Sequence, residues 1–229
     1  MKRLFPLFAI LTAALLSFAL YESLIVAPVD QLQGNVYRIL YYHASSAWTA
    51  FILFGINFVA SVVYLVRRDE KADVLAFVTA EVGVVFCTVV LVTGPLWARP
   101  VWGIWWTWDW RLTSTFVLWL IYVSYLLLRR FSNSGQTPVL AAALAVFGAL
   151  DIPLVYFSIW FFRTQHPQPV IGDGGSIAPS MLHVLLLNWL AFSCLAFMVC
   201  WSRYNLEVLK RELEEAQALE SLLETGGAR

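Results

Sequence analysis

Six apolar runs, each long enough to cross a bilayer, constrain this chain more than any other feature. A helix of about 20 residues crosses the hydrocarbon core, where only helices and closed barrels satisfy every backbone hydrogen bond. Apolar residues make up 60% of the chain and charged residues only 13%. The sequence therefore predicts an all-α polytopic protein with a six-span domain over residues 1–202 and a tail over 203–229. The predicted spans lie near residues 4–26, 39–66, 74–97, 114–128, 138–160 and 179–202.

The basic residues predict the orientation of these spans. If the N-terminus is cytoplasmic, only Arg38, Arg99, Arg111 and Arg163 of the 15 lysines and arginines fall on the outer side. Because basic residues concentrate in short cytoplasmic segments, both termini are expected in the cytoplasm. The first apolar run, which follows Lys2 and Arg3, exceeds a signal-peptide core in length and is interpreted as a retained signal anchor.

The tail and two acidic residues within spans each leave two interpretations. Residues 207–224 read EVLKRELEEAQALESLLE, which predicts a cytoplasmic amphipathic helix. That helix either lies against the inner membrane surface or docks a partner. Glu81 and Asp151 lie within apolar runs, where a helix–helix hydrogen bond is favoured over a proton path or a subunit contact.

Several classes of function lack support in the sequence. The formal net charge is zero, so nothing indicates nucleic-acid binding. Cys87, Cys194 and Cys200 form neither a CxxC nor a CxxCH motif, and they are interpreted as packing residues. No nucleophile–base pair or metal-binding cluster is evident. The chain is therefore expected to be a binding protein and not an enzyme, at most a scaffold for a reaction.

A tryptophan-rich outer loop, residues 97–114, is the most unusual local feature. It holds six of the 11 tryptophans of the chain. An interfacial aromatic belt explains one or two tryptophans per helix end, but not six in one loop. A dense aromatic surface suits a large, flat, apolar ligand, expected near Trp102, Trp105, Trp106 and Trp108. Asp109 is expected to orient the loop or to contact a partner.

All three histidines map to the outer half of the protein. His43 lies near the outer end of the second span, His166 in the third outer loop, and His183 near the outer end of the last span. Two neutral imidazoles facing each other across a porphyrin would form a bis-histidine site, but spacing does not choose the pair. The four outer arginines are candidates for haem propionates or for lipid headgroups.

The segment WGIWWTWDWRLTS, residues 102–114, resembles the WWD signature of haem-handling proteins of the CcmC type, which act in cytochrome c maturation. The resemblance covers roughly residues 25–170. It includes QGNVYRILYYHASSAW before the second span, LVTGPLWARPVWG after the third, and RTQH after the fifth. Two departures stand out. Ala44 and Ser45 occupy positions where the family often has proline, and neither the first span nor the acidic tail is recognisable as a family feature.

This resemblance implies a haem site and a set of partners. Haem b is expected to bind non-covalently beside the tryptophan-rich loop, with His43 and His166 as iron ligands. Arg38 and Arg111 are the expected propionate partners. The implied location is the bacterial cytoplasmic membrane, with the haem site facing the periplasm or the outside. The implied partners are a membrane-tethered haem chaperone, ABC-type transporter subunits and a small single-span subunit.

Within this interpretation one ligand is fixed and the other adjustable. His43 lies on a helix, whereas His166 precedes a loop that contains Gly172, Gly174 and Gly175.

Three rival functions remain. A haem-translocating subunit predicts ligating groups along the whole depth of the bundle, and histidines occur only at its outer end. A cytochrome b-like electron-transfer subunit would retain its haem permanently, and a structural subunit would use the aromatic loop to bind lipid.

Overall fold

The computed structural model describes residues 4–132, 134–167 and 177–226. Across these ranges the regular structure is helical, apart from one isolated bridge between Asp30 and Gly34. Six stretches are long and apolar enough to cross a membrane, which confirms the predicted all-α, six-span fold. The helices are α1 (Phe5–Tyr21), α2 (Ile39–Arg67), α3 (Glu70–Trp102), α4 (Trp110–Phe131), α5 (Thr137–Ala149), α6 (Asp151–Phe161) and α7 (Pro179–Gly226).

The third span is longer than the sequence predicted. A helix is expected to stop near a proline, which lacks the N–H that a helix interior needs. α3 instead continues through Pro95 and Pro100 to Trp102. It ends at Gly103, which has a φ of 78° and donates its N–H to the Arg99 carbonyl at 3.0 Å. This is a glycine helix end, and it leaves only a short loop before α4.

The fifth span is divided into two helices. α5 ends at Ala149, and α6 begins at Asp151 with Pro153 in its first turn. Because proline cannot donate to the preceding turn, it favours such a break. The break places the Asp151 side chain inside the span, where its Oδ2 atom is buried and has no hydrogen-bond partner among the described residues.

The core of the bundle is the antiparallel pair α2 and α3. At Gly83 the two helices approach so closely that an added Cβ atom would lie 2.6 Å from the Phe54 ring. The same ring stacks on Tyr122 of α4, with ring centres 3.8 Å apart and an interplanar angle of 10°. Gly83, Phe54 and Tyr122 therefore fix the spacing of α2, α3 and α4.

An ionic cluster joins α3, α4 and α7 at the end of the bundle opposite the tryptophan-rich loop. Asp73 is only 1% exposed and accepts hydrogen bonds from Arg129 at 2.5 and 2.8 Å and from Arg211 at 2.8 Å. Arg211 also contacts Glu70 and Glu207, each at 3.1 Å. A buried carboxylate needs such pairing. The cluster therefore fixes the position of α7 beside α3.

Glu81 makes a second connection between α3 and α7. Both of its carboxylate oxygens accept hydrogen bonds from the Arg203 guanidinium, at 2.9 to 3.1 Å. The contact is of the helix–helix kind that the sequence favoured for this residue.

The tail is a continuation of the last span. The sequence predicted a separate amphipathic helix over residues 207–224, with a position flat against the membrane as one alternative. α7 instead runs unbroken over 48 residues. At 1.5 Å per residue such a helix is about 72 Å long, far more than the thickness of a bilayer. A helix continuous with the span projects beyond the bundle and does not turn to lie flat.

Replacing Asp73 tests the role of the ionic cluster. Asp73→Asn leaves the largely buried guanidinium groups of Arg129 and Arg211 without their shared carboxylate. Breaking a buried ion pair on one side costs about 3 to 5 kcal/mol, and we expect a loss of stability of that order. Unfolding in detergent, followed by circular dichroism, measures it.

Glu214→Gln is the matched control. It removes the exposed contact between Glu214 and Lys210, whose charged atoms are 3.7 Å apart. Such surface pairs contribute about 0.5 kcal/mol or less. Equal unfolding curves for the two variants would show that the Asp73 cluster does not stabilise the bundle.

Candidate functional site

A cavity lies between α2, α3 and α4 at the tryptophan-rich end of the bundle. Its empty volume is about 1060 Å³, including the open space at its mouth. The lining is mainly apolar and aromatic, and it includes both His43 and His166. Phe54 and Leu118, which belong to the bundle core, form part of the same lining. The cavity therefore begins at the core and opens where the sequence predicted the site.

The His43 side chain is oriented by a hydrogen bond to α3. Its Nδ1 atom lies 2.9 Å from the Thr93 hydroxyl oxygen. That hydroxyl donates its own hydrogen to the Val89 carbonyl at 2.7 Å, so its oxygen accepts a hydrogen from Nδ1. In a neutral imidazole with Nδ1 protonated, the Nε2 atom carries the free lone pair. His43 is therefore prepared to bind a metal through Nε2.

Two neighbours on α3 define the space around His43. An added Cβ atom at Gly94 would lie 3.5 Å from the His43 Cε1 atom, so a larger side chain there would fill the cavity beside the imidazole. Trp97 lies edge-on to His43, with ring centres 5.9 Å apart. The Trp97 Nε1 atom donates to the Gln33 side-chain oxygen at 2.6 Å, which joins the first outer loop to the cavity wall.

His166 reaches the same cavity from the segment after α6. Its Nδ1 atom lies 2.9 Å from the Pro167 carbonyl oxygen, which only accepts hydrogen bonds. Nδ1 is therefore the protonated nitrogen, and Nε2 is again free. Burial, followed by the positive charge of Arg111, lowers the pKa of His166 to about 4, although the bond to Pro167 opposes this shift. His166 is therefore neutral near pH 7, the form that binds metals.

The distance between the two imidazoles matches a shared metal ion. Their ring centres are 6.5 Å apart, and their planes are inclined by 31°. When two imidazoles bind opposite sides of one metal, each metal–nitrogen bond is about 2 Å, which places the ring centres about 6.4 Å apart. This spacing therefore accommodates one metal ion between His43 and His166.

Asp109 positions the His166 segment without lining the cavity. Its Oδ1 atom accepts the Leu112 N–H at 2.9 Å and so caps the start of α4. Its Oδ2 atom accepts the backbone N–H of Gln165 at 2.9 Å, the residue before His166. The same oxygen accepts the Thr107 hydroxyl at 3.2 Å. One carboxylate therefore connects the tryptophan-rich loop, α4 and the segment that carries His166.

The two arginines expected to bind propionates are placed differently. Arg111 lines the cavity, and one of its Nη atoms donates to the Val155 and Tyr156 carbonyls at 3.0 and 3.2 Å. Its Nε and second Nη atoms are not used in these bonds. Arg38 is not among the described residues that line the cavity. Its guanidinium donates to the Ser23 and Ala27 carbonyls at 2.6 and 3.0 Å, so it fastens the first outer loop.

The tryptophans are divided between two surfaces. Trp102 and Trp106 line the cavity, together with Trp97, which was not among the expected ligand contacts. Trp105 and Trp108 are 56% and 75% exposed and do not line this cavity. The loop therefore directs only part of its aromatic surface toward the space between the histidines.

The third histidine lies outside the cavity lining. His183 is near the start of α7, where its Nε2 atom is 3.5 Å from a carboxylate oxygen of Glu22. This position separates it from the pair formed by His43 and His166. The loop glycines at 172, 174 and 175, which the sequence associated with an adjustable ligand, lie outside the described residues.

Three residues of the cavity surroundings were missed in the sequence: Gln33, Thr93 and Trp97. Thr93 and Trp97 are one helical turn apart on α3 and both fall inside the predicted third span, so their shared helix face was a usable signal. No pattern in the sequence predicts that Gln33 lies at the cavity. Its position depends on the turn in which Asp30 accepts the Leu32 and Gln33 N–H groups at 2.9 and 2.7 Å.

The combined chemistry suits a metal held within a flat organic ligand. Across the described residues, no group of three or more His, Cys, Asp and Glu side chains is placed to hold a bare metal ion. Two imidazoles would supply only two ligands, so the remaining ligands of a metal held there would come from the bound molecule. The tryptophans offer aromatic surfaces, and Arg111 offers a cation for an acidic group. These residues fit the haem expected from the sequence.

Comparison with known proteins identifies the family of the chain. The family model described as heme exporter protein C matches residues 1–219, which is wider than the resemblance over residues 25–170 and includes the first span and most of the tail. A heme exporter protein C from Bradyrhizobium diazoefficiens is 35% identical over 222 residues, covering 96% of this chain and 84% of that protein. One from Haemophilus influenzae is 35% identical over 213 residues, covering 92% and 87%.

A relative from a plant organelle extends the comparison. A putative cytochrome c biosynthesis ccmC-like mitochondrial protein of Marchantia polymorpha is 34% identical over 179 residues, covering 78% of this chain and 76% of that protein. The family model spans the helices that enclose the cavity. The chain therefore belongs to the heme exporter protein C (CcmC) family.

Proposed function

We propose that this protein binds haem b non-covalently in the cavity between His43 and His166 and delivers it for cytochrome c maturation. Membership of the CcmC family supports a role in haem handling. The observation that carries the assignment is the histidine pair, whose ring centres are 6.5 Å apart at one cavity. We infer that the protein is a binding and delivery protein and not an enzyme.

The hydrogen bonds of the two histidines support this assignment independently of their separation. Each Nδ1 atom donates to an oxygen, of Thr93 for His43 and of Pro167 for His166, and each Nε2 atom stays available for iron. Metal-binding histidines usually have such a partner on the other ring nitrogen, because it fixes the tautomer and the ring orientation. A pair of packing histidines has no need for the same tautomer on both sides of a cavity.

The remaining lining suits the rest of the haem molecule. Trp97, Trp102 and Trp106 offer apolar aromatic surface to the macrocycle. Arg111 is the first candidate for a propionate, because it lines the cavity and only one of its Nη atoms donates in the hydrogen bonds among the described residues. Arg38 remains a second candidate, although its known bonds hold the backbone of the first outer loop.

The placement of the two ligands supports transfer over permanent retention. His43 is part of α2, whose neighbours fix its position. His166 lies in a described stretch without regular structure, and the Gln165 N–H beside it donates to Asp109 at the start of α4. Breaking that contact would withdraw one axial ligand and leave the bundle intact. A release step of this kind is what delivery to an acceptor requires.

We further propose a location and an acceptor for this haem. The distribution of basic residues supports cytoplasmic termini, and with that orientation the cavity would lie at the outer face of the bacterial cytoplasmic membrane. Trp105 and Trp108 present exposed aromatic surface in the same loop as the cavity-lining Trp106, and a membrane-tethered haem chaperone would approach there. ABC-type transporter subunits and a small single-span subunit complete the proposed set of partners.

Removing either histidine tests the haem site. His43→Ala and His166→Ala each delete one of the two axial ligands, and we expect each variant to lose most of the haem that co-purifies with the wild-type protein. The absorption spectrum of purified protein, with haem quantified per polypeptide, measures the loss. His183→Ala is the control, because His183 faces Glu22 and not the cavity.

Two results would contradict this assignment. Retention of the wild-type spectrum by both His43→Ala and His166→Ala would show that haem binds elsewhere. A loss in His183→Ala equal to that in His166→Ala would show that the wrong pair was chosen.

Thr93→Val tests the orientation of His43. Valine has nearly the shape of threonine but offers no oxygen to Nδ1, so the imidazole loses its hydrogen-bond partner. Loss of such a partner typically weakens metal binding about 10-fold or more. We expect a weaker haem affinity in a titration followed by absorbance, with an unchanged bis-histidine spectrum at saturation. An unchanged affinity would show that Thr93 does not position the ligand.

Two substitutions at Asp109 separate its roles. Asp109→Asn keeps one oxygen for the cap of α4 but loses the second acceptor for the Gln165 N–H, whereas Asp109→Ala loses both acceptors. We expect faster amide hydrogen exchange at Gln165 in Asp109→Asn and Asp109→Ala. Faster exchange at Leu112, in the first turn of α4, is expected only in Asp109→Ala. Wild-type exchange at Gln165 in both variants would contradict the proposed tether.

A further inference from the structure

A second space lies beside the cavity, in a groove between α3 and α4 on the outside of the bundle. Its empty volume is about 1110 Å³, including open space. Leu91 and Trp106 line both the groove and the cavity, so the two spaces are adjacent and share one wall. Val92, which lines only the groove, is 55% exposed on a membrane-spanning helix. The groove therefore faces lipid on one side and the cavity on the other.

The walls of the groove are aromatic. Trp119 stacks with Phe116 at 6.0 Å with an interplanar angle of 15°, and Trp106 and Trp108 each meet the edge of Phe116 at 6.4 Å. The Trp119 Nε1 atom donates to the Thr88 hydroxyl at 2.8 Å, so that the polar atoms of both side chains are paired. Such a surface suits a flat apolar molecule better than a polar one.

The groove extends well into the apolar region. Thr88 and Val92 lie 14 and 10 residues before Trp102, the last residue of α3. At 1.5 Å per residue these positions are about 21 and 15 Å from that helix end. A molecule dissolved in the bilayer would therefore reach the groove without leaving the apolar phase.

Resting on the proposed function, we propose that this groove is a lateral entrance through which haem moves from the lipid into the cavity. Trp106 forms the shared wall, and its Nε1 atom is buried without a hydrogen-bond partner among the described residues. No polar contact there holds the indole in place, so its rotation opens the way between the two spaces. Arg111, the only charged residue in the described cavity lining, then meets the propionates at the end of the path.

The alternative occupant is a lipid acyl chain. Two features favour haem. The groove is bordered by four aromatic rings and adjoins a cavity that contains two candidate iron ligands. An acyl chain gains little from stacked rings, whereas a macrocycle gains from both their shape and their aromatic faces.

Filling the groove without changing the cavity tests the proposal. Val92→Trp places a large side chain in the groove, and Val92→Phe places a smaller one. Val85→Trp is the matched control, because Val85 is 62% exposed on the same helix and lines neither space. Haem-free protein in phospholipid vesicles is mixed with vesicles preloaded with haem b, and the rise of the haem band is followed over time.

We expect Val92→Trp to load at least about 10-fold more slowly than wild type, Val92→Phe to be intermediate, and Val85→Trp to match wild type. All should reach the same final spectrum, which also shows that the variants are folded. Equal loading rates would overturn the lateral entrance while leaving the proposed haem site intact, and so would a change confined to co-purifying phospholipid. If Val92→Trp fails to fold, the haem-loading rate of Val92→Phe relative to wild type tests the lateral entrance in its place. Absence of a haem band in the wild-type protein would instead contradict the proposed function.

Discussion

The carboxylate of Asp109 holds together the parts of the chain that form the candidate site. Its two oxygens bind the Leu112 N–H at the start of α4 and the Gln165 N–H beside His166, which are far apart in sequence. Since α2 and α3 carry His43 and Thr93 independently, this contact sets the position of the second histidine relative to the first. The spacing of 6.5 Å between the imidazoles therefore depends on an acidic residue that does not touch the cavity.

The two ends of the bundle differ in how their charged and polar side chains are paired. At the end away from the tryptophan-rich loop, Asp73 is buried and its charge is balanced by Arg129 and Arg211. At the cavity end, neutral imidazoles and indoles dominate, and Arg111 is paired only with backbone carbonyls among its described hydrogen bonds. A charge in a poorly solvated place is stabilised by a partner of opposite sign. Arg111, whose described hydrogen bonds all go to neutral carbonyls, is therefore an attractive position for an acidic ligand.

The sequence predicted the six spans because each run is long and apolar enough to cross the hydrocarbon core. It did not predict how far α3 extends or which of its residues lie beside His43. The predicted third span ended near residue 97, but α3 continues through Pro100 to Trp102, and Thr93 and Trp97 on this helix lie beside His43. The cluster of tryptophans predicted an aromatic ligand surface, but only the folded loop shows that Trp105 and Trp108 face away from the cavity. No periodicity in a loop of this length encodes the direction of each ring.

This division of the aromatic residues suggests why the loop contains so many of them. Trp102 and Trp106 supply the cavity wall, and Trp106 and Trp108 contribute to the groove between α3 and α4. Trp110 instead stacks on Phe162 at 4.4 Å, which packs the start of α4 against the end of α6. A single ring cannot serve a ligand wall, a lipid-facing surface and an interhelical contact at once. A short loop that must provide all three therefore needs several aromatic side chains, of which Trp106 alone serves two surfaces, because it lines both the cavity and the groove.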